Sequence, residues 1–588
     1  MYDRHLILFA GPGSGKTSTS IAKGRRILAN PDSRLCMVTF TTAASAEIQH
    51  RMAAAFANEK QPLPVGRLST GTFHSMALKH YQRHVKGHPK LLPPPARSAM
   101  LHTMLAKHSM DDRSAYTLAL EKYQGALNPS RLDIAPQHLE FIDEYLAKMK
   151  SAHATDLASI MRECTILMAS GEIPLLNITH LIGDEMQDAD EVQLEFILNH
   201  TRKGVVTTLV ADDDQTIYEW RCALGYAGLQ YFAAQVNAKT ITLGENFRSR
   251  EEVVAHAREL IANNDPDRVE KNQIAVRGAG GVLGVVKSAT PFDECEAVAV
   301  AIRDYKYDDE EIAVLARSNR ALDRMEEALA AEGIPYRRDG PTLWDTPEIA
   351  LLLAVMRALI SSRTAELLPV LMLLHVDPDV RKELEKQLGA NCGQFLDGDV
   401  PELAGATDLD GKVLQKFVDG TSDWRKLLRS GDYNLVIPDI GFAVAKLLQE
   451  NRDSKASATK TRRINQLTES AVNVLTKLRG SLSTRLSTLS LMNSREAAAC
   501  PVRLMTMHSS KGLEFDTVFL INASHPDDGS TLMADHPERR LFYVALTRAK
   551  DRFFATYSDD PVKYINEANL PFIDNFSDVL GTPAAENE

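Results

Sequence analysis

The residues of this sequence with the clearest chemical potential form a glycine-rich turn near its start. Residues 10–17, AGPGSGKT, have the spacing of a phosphate-binding loop, with alanine in place of the usual first glycine. Backbone N–H groups in such a turn surround phosphates at a helix N-terminus, the lysine reaches the terminal phosphates, and the threonine offers a hydroxyl to Mg²⁺. The candidate residues for a nucleoside triphosphate and its Mg²⁺ are Gly11, Gly13, Ser14, Gly15, Lys16 and Thr17.

A pair of adjacent carboxylates supplies the second part of this chemistry. Asp184 and Glu185 follow the apolar run ITHLIG, which is typical of a buried strand. One carboxylate can hold the metal while the other accepts a proton from an attacking water, so we assign Asp184 to Mg²⁺ and Glu185 to the base. An acidic helix cap is the alternative for the pair alone, but its combination with Lys16 favours phosphoryl transfer.

Short apolar strands must position these side chains. After a first strand from Leu6 to Ala10, four further runs are β-branched or apolar and end in polar residues: RLCMVTF (34–40), ITHLIGDE (178–185), GVVTTLVAD (204–212) and KTITLGE (239–245). Because ligands of open parallel sheets gather at the carboxyl ends of the strands, we expect the polar residues that end these runs to lie together.

Two α/β patterns, each interrupted by a mostly helical stretch, organise the chain. The second pattern begins near Gly281 and resumes near Val502. We therefore predict an α/β fold of two domains with parallel sheets, each with an inserted, mainly helical subdomain. The predicted boundaries are 1–80 and 174–276 for the first α/β domain, 81–173 for its insertion, 277–360 and 494–580 for the second, 361–493 for its insertion, and 581–588 for a polar tail.

Composition limits the class of protein. At 588 residues with 44% hydrophobic content, the chain is long enough for several domains. No apolar run approaches the ~20 residues of a membrane span, and no secretory signal is visible, so we expect a cytoplasmic protein. The six cysteines are scattered without a CxxC pair, which argues against a zinc site or a disulfide framework. The net charge of −11 means that any nucleic-acid surface must be locally basic.

Eight segments in one order resemble the motif series of superfamily 1A DNA helicases of the UvrD, Rep and PcrA type. They are FAGPGSGKT, VTFTTAASAEIQHRM, TGTFHSMAL, DEMQDAD, ADDDQTIYEWRCA, GENFRSR, VRLMTMHSSKGLEFDTVFL and RRLFYVALTRAKDR. The resemblance covers about half of the chain and both α/β patterns. It implies two RecA-like P-loop domains that bind ATP and Mg²⁺ between them and act on single-stranded DNA.

The same resemblance implies roles for residues outside the phosphate loop. Gln215 matches the glutamine that senses the γ-phosphate, and Arg248 and Arg548 match two arginines that reach that phosphate from the side of the second domain. Glu514 matches a ribose-binding residue. Phe247 stands where relatives usually have a tyrosine that stacks on adenine.

Candidate DNA-binding residues follow from aromatic spacing and from the resemblance. Tyr218 and Trp220 are two apart, so in an extended segment both rings point the same way and could stack on bases. Such stacking contributes about 1–3 kcal/mol per base and tolerates any sequence. Taken singly, each aromatic fits an ordinary core position as well. The remaining candidates, in or beside motif segments, are Phe40, His74, Arg221 and His508.

Departures from the family pattern affect base selection and unwinding. Relatives carry a glutamine-containing segment before the P-loop, whereas ten residues precede Gly11 here, and Ser18 replaces a common arginine. From both differences we expect weaker discrimination of ATP from other nucleoside triphosphates. The second insertion lacks the glycine-isoleucine-glycine duplex-binding signature, so translocation is better supported than strand separation.

The resulting prediction is an ATP-dependent translocase and helicase that moves 3′ to 5′ along single-stranded DNA or a tailed duplex. One alternative is a DNA-sensing ATPase that works with a nuclease or other protein subunit, as in phage-defence systems such as Gabija. A second is an inactive DNA-binding module, which the intact set of Lys16, Asp184, Glu185 and both arginines opposes. RNA remains an alternative substrate, since stacking does not exclude a 2′-hydroxyl.

Overall fold

A computed structural model shows how the chain is arranged. It describes residues 4–58, 60–108, 113–218, 222–304, 310–340, 342–374, 376–403, 407–449, 458–492, 500, 502–524 and 535–580. The described residues form two compact units. The first comprises residues within Met1–Gly281, Asp528–Asp551 and Asn566–Asn569, and the second comprises residues within Val282–Asp527, Arg552–Ile565 and Leu570–Glu588.

The first unit is built on a six-stranded parallel sheet with the order β3-β2-β6-β7-β1-β8. Its central strands are apolar along their length and buried on both faces, as expected where helices cover a parallel sheet. The strands up to residue 281 are β1 (Leu6–Ala10), β2 (Leu35–Thr39), β3 (Leu68–Thr72), β4 (Lys90–Leu91), β5 (Ala154–Thr155), β6 (His180–Gly183), β7 (Val206–Ala211), β8 (Lys239–Leu243), β9 (Glu245–Asn246) and β10 (Ile274–Ala275).

Helices of the first unit cover this sheet and form an insertion between β3 and β6. Phe141 and Tyr145 lie in a separate small core within the insertion, beside a short pairing of β4 with β5. The helices up to residue 281 are α1 (Lys16–Leu28), α2 (Thr42–Asn58), α3 (Phe73–His84), α4 (Pro94–His108), α5 (Arg113–Gln124), α6 (Pro136–Ser151), α7 (Leu157–Ser170), α8 (Glu191–Thr201), α9 (Gly225–Val236) and α10 (Glu251–Ala262).

The second unit also contains a six-stranded parallel sheet, with the order β11-β16-β15-β12-β14-β13. Its strands are β11 (Val282–Lys287), β12 (Ile312–Ala316), β13 (Tyr336–Arg338), β14 (Val502–Thr506), β15 (Phe515–Ile521) and β16 (Ala549–Tyr557). Between β13 and β14 a helical insertion packs around its own apolar core, which includes Leu352, Leu371 and Phe417. The predicted α/β fold with two parallel sheets and helical insertions is confirmed.

The remaining helices complete this unit and the C-terminal part of the chain. They are α11 (Pro291–Asp304), α12 (Asn319–Ala331), α13 (Pro347–Ser361), α14 (Thr364–Leu373), α15 (Pro378–Leu388), α16 (Gly393–Leu396), α17 (Asp408–Val418), α18 (Thr421–Ser430), α19 (Tyr433–Gln449), α20 (Ala458–Lys477), α21 (Leu482–Met492), α22 (Asp535–Leu546), α23 (Tyr564–Glu567) and α24 (Ser577–Leu580). None of the helices in the described ranges has the length and apolar character needed to cross a bilayer.

Helix α22 belongs to the first unit although in sequence it lies between β15 and β16 of the second sheet. It packs against α10 and against the turn at Asp213–Gln215. Arg539 on α22 binds Glu567 through two N–H groups, and His536 contacts Asn264. The sequence-based boundaries grouped this segment with the second α/β domain. Those boundaries stay a prediction, and it is the contacts of α22 with α10 and with the 213–215 turn that group it with the first compact unit.

Candidate functional site

The predicted chemical residues of the first unit lie along one edge of its sheet. All six strands are parallel, so the loops after them emerge at the same edge. The strand order places the segments after β3 and β2 at one side, the Asp184-Glu185 pair and the 212–215 turn in the middle, and the phosphate loop after β1 beyond them. With strands about 4.8 Å apart, the phosphate loop lies roughly 20 Å from the loop after β3.

The phosphate loop joins the buried strand β1 to the start of α1. Gly13 and Gly15 have positive φ angles of 70° and 75°, a conformation that glycine adopts without the clash of a Cβ atom. A Cβ at Gly13 would lie 2.6 Å from Cβ of Arg248, so this position also requires glycine for lack of space. Ser14 closes the turn by donating its hydroxyl to the carbonyl of Gly11 over 2.6 Å.

Lys16 and Thr17 begin α1 and face the carboxylates at neighbouring strand ends. The Nζ atom of Lys16 donates to the carbonyl of Ala10 over 3.1 Å and lies 3.5 Å from Oδ2 of Asp212. The Thr17 hydroxyl lies 3.4 Å from Oδ2 of Asp184. Burial and the charge of Glu185 raise the pKa of Asp184 to about 6. A hydroxyl beside a buried carboxylate is a fitting pair of oxygen ligands for Mg²⁺.

Glu185 is held beside this pair by an unusual backbone and by a buried glutamine. Its φ angle of 57° lies in the left-handed region that residues with a Cβ seldom occupy, and such outliers concentrate at functional sites. Gln187, which is fully buried, donates from Nε2 to Oε2 of Glu185 over 2.6 Å. The other half of the Gln187 amide accepts from the backbone N–H of Asp212 over 3.0 Å.

Arg548 enters the same site from the end of α22. Its guanidinium is buried and donates from Nη2 to Oε1 of Gln215 over 3.1 Å, while Nε donates to the carbonyl of Val544. Gln215 in turn donates from Nε2 to Oδ2 of Asp212. Burial, followed by the charge of Arg248, lowers the pKa of Arg548 to about 9. A buried guanidinium in this position is poised to meet added negative charge.

Arg248 and Phe247 lie against the phosphate loop on the segment after β9. The backbone N–H of Phe247 donates to the carbonyl of Gly13 over 2.8 Å, and its ring is about half exposed, at 52%. Arg248 donates from Nη1 to the carbonyl of Thr547 over 3.1 Å, and Thr547 directly precedes Arg548 in the sequence. An exposed ring beside the loop is available for stacking on a base.

Two amide side chains fix the phosphate loop from the ribbon of β9 and β10. Asn246 and Gln273 both donate to the carbonyl of Pro12, over 2.9 and 3.1 Å. The Gln273 amide lies directly on Gly11, where a Cβ atom would approach its nitrogen to 2.0 Å. The conformation of the loop therefore depends on residues more than two hundred positions away.

Candidate DNA-binding residues of the first unit follow β2 and β3, on the side of the sheet edge away from the phosphate loop, and also follow the 212–215 turn in the middle. The rings of Phe40 after β2 and Phe73 at the start of α3 lie 5.3 Å apart, and His74 follows Phe73. His74 is half-buried, and burial lowers its pKa. Tyr218 is half-buried in the irregular segment after the 212–215 turn. Trp220 and Arg221 lie outside the described residues.

His508 and Glu514 belong to the second unit. His508 is half-buried in the turn that follows β14, and Glu514 is exposed directly before β15. Both residues engage in interactions within the described part of the chain. Their predicted contacts with DNA and ribose stay predictions.

Several residues of the site were missed in the sequence. They are Gln187, Asp212, Lys271, Asn246 and Gln273. Gln187, Asp212 and Asn246 stand inside motif segments, so their position was a usable signal. Lys271 and Gln273 lie in no quoted motif, and the sequence carries no pattern that joins them to residues 11–12 or 212–214.

Comparison with known proteins agrees with this geometry. The family model for the UvrD/REP helicase N-terminal domain matches residues 1–226, and that for the UvrD-like helicase C-terminal domain matches residues 241–402 and 408–560. DNA helicase II of Haemophilus influenzae is 28% identical, covering 96% of this chain and 83% of the relative. The putative ATP-dependent DNA helicase YjcD of Bacillus subtilis is 27% identical, covering 93% and 76%. The ATP-dependent DNA helicase Rep of Buchnera aphidicola (Schizaphis graminum) is 25% identical, covering 95% and 92%.

These matches span nearly the whole chain and include both α/β units. The phosphate loop, the Asp184-Glu185 pair and the 212–215 turn all fall within the first matched domain, and Arg248 and Arg548 fall within the second. The chain therefore belongs to the UvrD/REP helicase family and is an ATP-dependent DNA helicase family enzyme.

Proposed function

We propose that this protein is a motor that hydrolyses ATP to move 3′ to 5′ along single-stranded DNA and to separate strands ahead of it. The observation that carries the proposal is the arrangement along the first sheet edge. The proposed nucleotide-binding residues and the candidate DNA-contacting residues after β2 and β3 lie along the same edge, with the Asp184-Glu185 pair and Gln215 between them. Relatives named as DNA helicases support DNA as the substrate.

The proposed hydrolysis uses side chains of the first unit. Lys16 holds the terminal phosphates, and Glu185 accepts the proton of the water that attacks the γ-phosphorus as the bond to ADP breaks. Thr17 and Asp184 would hold Mg²⁺, which neutralises phosphate charge when it is bound. Arg548 and Arg248 stabilise the charge on the transferred group. Arginines in this role contribute about 10³ to 10⁵ in rate in related phosphoryl-transfer enzymes.

Coupling to DNA is proposed to pass through the 212–215 turn. Gln215 contacts both Arg548 and Asp212, and Tyr218 follows three residues later. A change in phosphate contacts at Gln215 therefore has a short covalent path to an aromatic side chain that we assign to DNA. Phe40, His74, Tyr218, Trp220 and Arg221 are the proposed DNA residues of this unit, with His508 from the second. Phe247 and Glu514 are proposed to bind the base and the ribose.

ATP hydrolysis with and without single-stranded DNA, followed by strand displacement on duplexes with 3′ or 5′ tails, tests this function. The proposal predicts DNA-stimulated hydrolysis and displacement that requires a 3′ tail. Displacement that requires a 5′ tail would contradict the polarity. DNA-stimulated hydrolysis with neither displacement nor movement would instead fit a DNA-sensing subunit of a nuclease complex. RNA stimulation equal to that by DNA would contradict the assigned substrate.

A further inference from the structure

A buried cluster of three aspartates surrounds one buried lysine beside the phosphate site. Asp212, Asp213 and Asp214 follow β7, and Nζ of Lys271 lies 3.1, 2.6 and 2.7 Å from a carboxylate oxygen of each. The three carboxylates are close enough to one another to suit a metal ion. The ammonium of Lys271 already occupies the position where their oxygens converge. The cluster is therefore built around a lysine.

The segment that carries Lys271 is anchored to the same turn at two more points. Arg268 binds Asp214 through two N–H groups, each over 2.7 Å, and the backbone N–H of Val269 donates to Asp213 over 2.8 Å. Charge from the three aspartates raises the pKa of Lys271 above its ordinary value despite burial, so the residue is a permanent cation. Its position is fixed as well as its charge.

Asp212 is shared between two lysines. Lys271 approaches Oδ1 over 3.1 Å, whereas Lys16 approaches Oδ2 over 3.5 Å. Asp212 is fully buried, and the two ammonium groups lower its pKa to about 2 despite that burial. A buried carboxylate without another cation would hold Lys16 strongly, because an unpaired buried charge is costly. Lys16 must direct its charge to the terminal phosphates to act as proposed above.

We propose that Lys271 is a positioning residue that serves as the counter-ion of Asp212 and so leaves Lys16 available to ATP. This inference rests on the proposed role of Lys16. The Lys271 ammonium is held by the carboxylates of Asp212, Asp213 and Asp214, so its effect on the nucleotide passes through Asp212 and Lys16. It lowers the cost of moving Lys16 from the carboxylate to the phosphates, and its main consequence is for ATP affinity.

The competing explanation is that Lys271 only balances charge for folding. Arg268 provides a matched control, because Arg268→Met also removes one half-buried cation that binds this acidic turn. Arg268 contacts Asp214 and not Asp212. A folding role predicts similar losses for both variants, whereas the proposed role predicts a selective loss for Lys271→Met.

The test measures the Kd for ATP with Mg²⁺ on the full chain, by displacement of a fluorescent ATP analogue, with circular dichroism to verify folding. Lys271→Met is expected to raise the Kd by about tenfold or more, and Arg268→Met by less than about threefold, since only the first leaves Lys16 as the sole ion-pair partner of Asp212. Equal shifts in the two variants, or no shift in Lys271→Met, would overturn the inference.

Variants at Asp212 keep the test decisive if Lys271→Met does not fold. With Asp212→Asn the carboxylate is gone, so adding Lys271→Met should change the Kd by less than about threefold. If the double variant bound ATP a further tenfold more weakly than Asp212→Asn, the proposed role of Lys271 would be overturned. Lys16→Ala separates this inference from the proposed function. If the Kd for ATP is unchanged in Lys16→Ala, the nucleotide site itself is contradicted. If that Kd does depend on Lys16 but shifts equally in Lys271→Met and Arg268→Met, only the role of Lys271 is contradicted.

Discussion

Gln215 accepts a hydrogen bond from Arg548 over 3.1 Å, although 333 positions separate the two residues. The same glutamine donates to Asp212, which lies 3.5 Å from Nζ of Lys16. Three contacts therefore connect a late arginine to the lysine of the phosphate loop. Because these side chains share partners, we expect substitutions along this series to have non-additive effects on the rate.

Replacement of Arg548 by lysine should lower kcat strongly. Lysine keeps the charge but lacks the planar fork that binds Gln215 and would meet the transferred phosphoryl group. We expect kcat to fall by about 10²-fold or more in DNA-stimulated ATP hydrolysis, with a change of only a few-fold in KM. Arg250→Lys is the control, since Arg250 binds Asp551 and the carbonyl of Arg277 outside the phosphate contacts. A kcat within twofold of wild type would contradict the role of Arg548.

Replacement of Gln187 by leucine should misplace the base while leaving ATP binding intact. The substitution removes the donor to Glu185 and the acceptor for the N–H of Asp212. We expect a decrease in kcat of at least about tenfold with KM within about threefold, because a base must be held within hydrogen-bond reach of the water. Gln193→Leu is the matched control.

Gln193 is a buried glutamine of the capping box that begins α8. Its loss should cost stability of about 1 kcal/mol, measured by denaturant unfolding, with kcat nearly unchanged. If Gln187→Leu behaved like this control in both measurements, Gln187 would be structural only.

Lys16→Ala and Glu185→Gln should each abolish turnover and retain binding of single-stranded DNA. Lys16 would no longer hold the terminal phosphates, and the amide at 185 could not accept a proton. The measurements are steady-state ATP hydrolysis and fluorescence anisotropy with a labelled oligonucleotide. Hydrolysis at the wild-type rate in either variant would refute the assigned chemistry.

Trp220→Ala should uncouple hydrolysis from DNA. Loss of a stacking ring is expected to remove about 1–3 kcal/mol of contact with a base, and thus to lower DNA stimulation more than basal hydrolysis. Tyr231→Ala is the control, because Tyr231 is an exposed aromatic on α9. Stimulation unchanged from wild type would count against stacking by Trp220.

We expect the protein to discriminate only weakly between ATP and GTP. Ser18 follows the GKT sequence, and Phe247 offers an exposed ring that stacks on any base. We expect the ratio of kcat/KM for ATP to that for GTP to stay below about a hundred, the size that a good hydrogen-bonding pocket can exceed. A larger ratio in parallel assays of the two nucleotides would overturn this expectation.

Motif spacing predicted the parts of the site that depend on local sequence. The phosphate loop and the Asp184-Glu185 pair each follow a buried strand directly, so an apolar run and its polar end were enough to locate them. The positive φ of Glu185 has no sequence signal, since glutamate gives no hint of a left-handed backbone. Motif order then related these segments to one another.

Long-range packing supplied what the sequence could not. Lys271 reaches three aspartates 57 to 59 positions earlier, and no periodicity links them. Helix α22 packs against α10, far earlier in the chain, and its sequence position alone does not predict that contact. Pairings of this kind depend on surfaces that form only when separate segments have folded together.

The return of α22 has a consequence for synthesis of the protein. The first unit combines residues up to Gly281 with residues of α22, so a ribosome must translate α22 before that unit can acquire all of its parts. A stop codon directly before α22 would leave every earlier residue in place and would still remove Arg548, the partner of Gln215. We therefore expect such truncated products to lack the part of the proposed site that α22 brings to the phosphate loop.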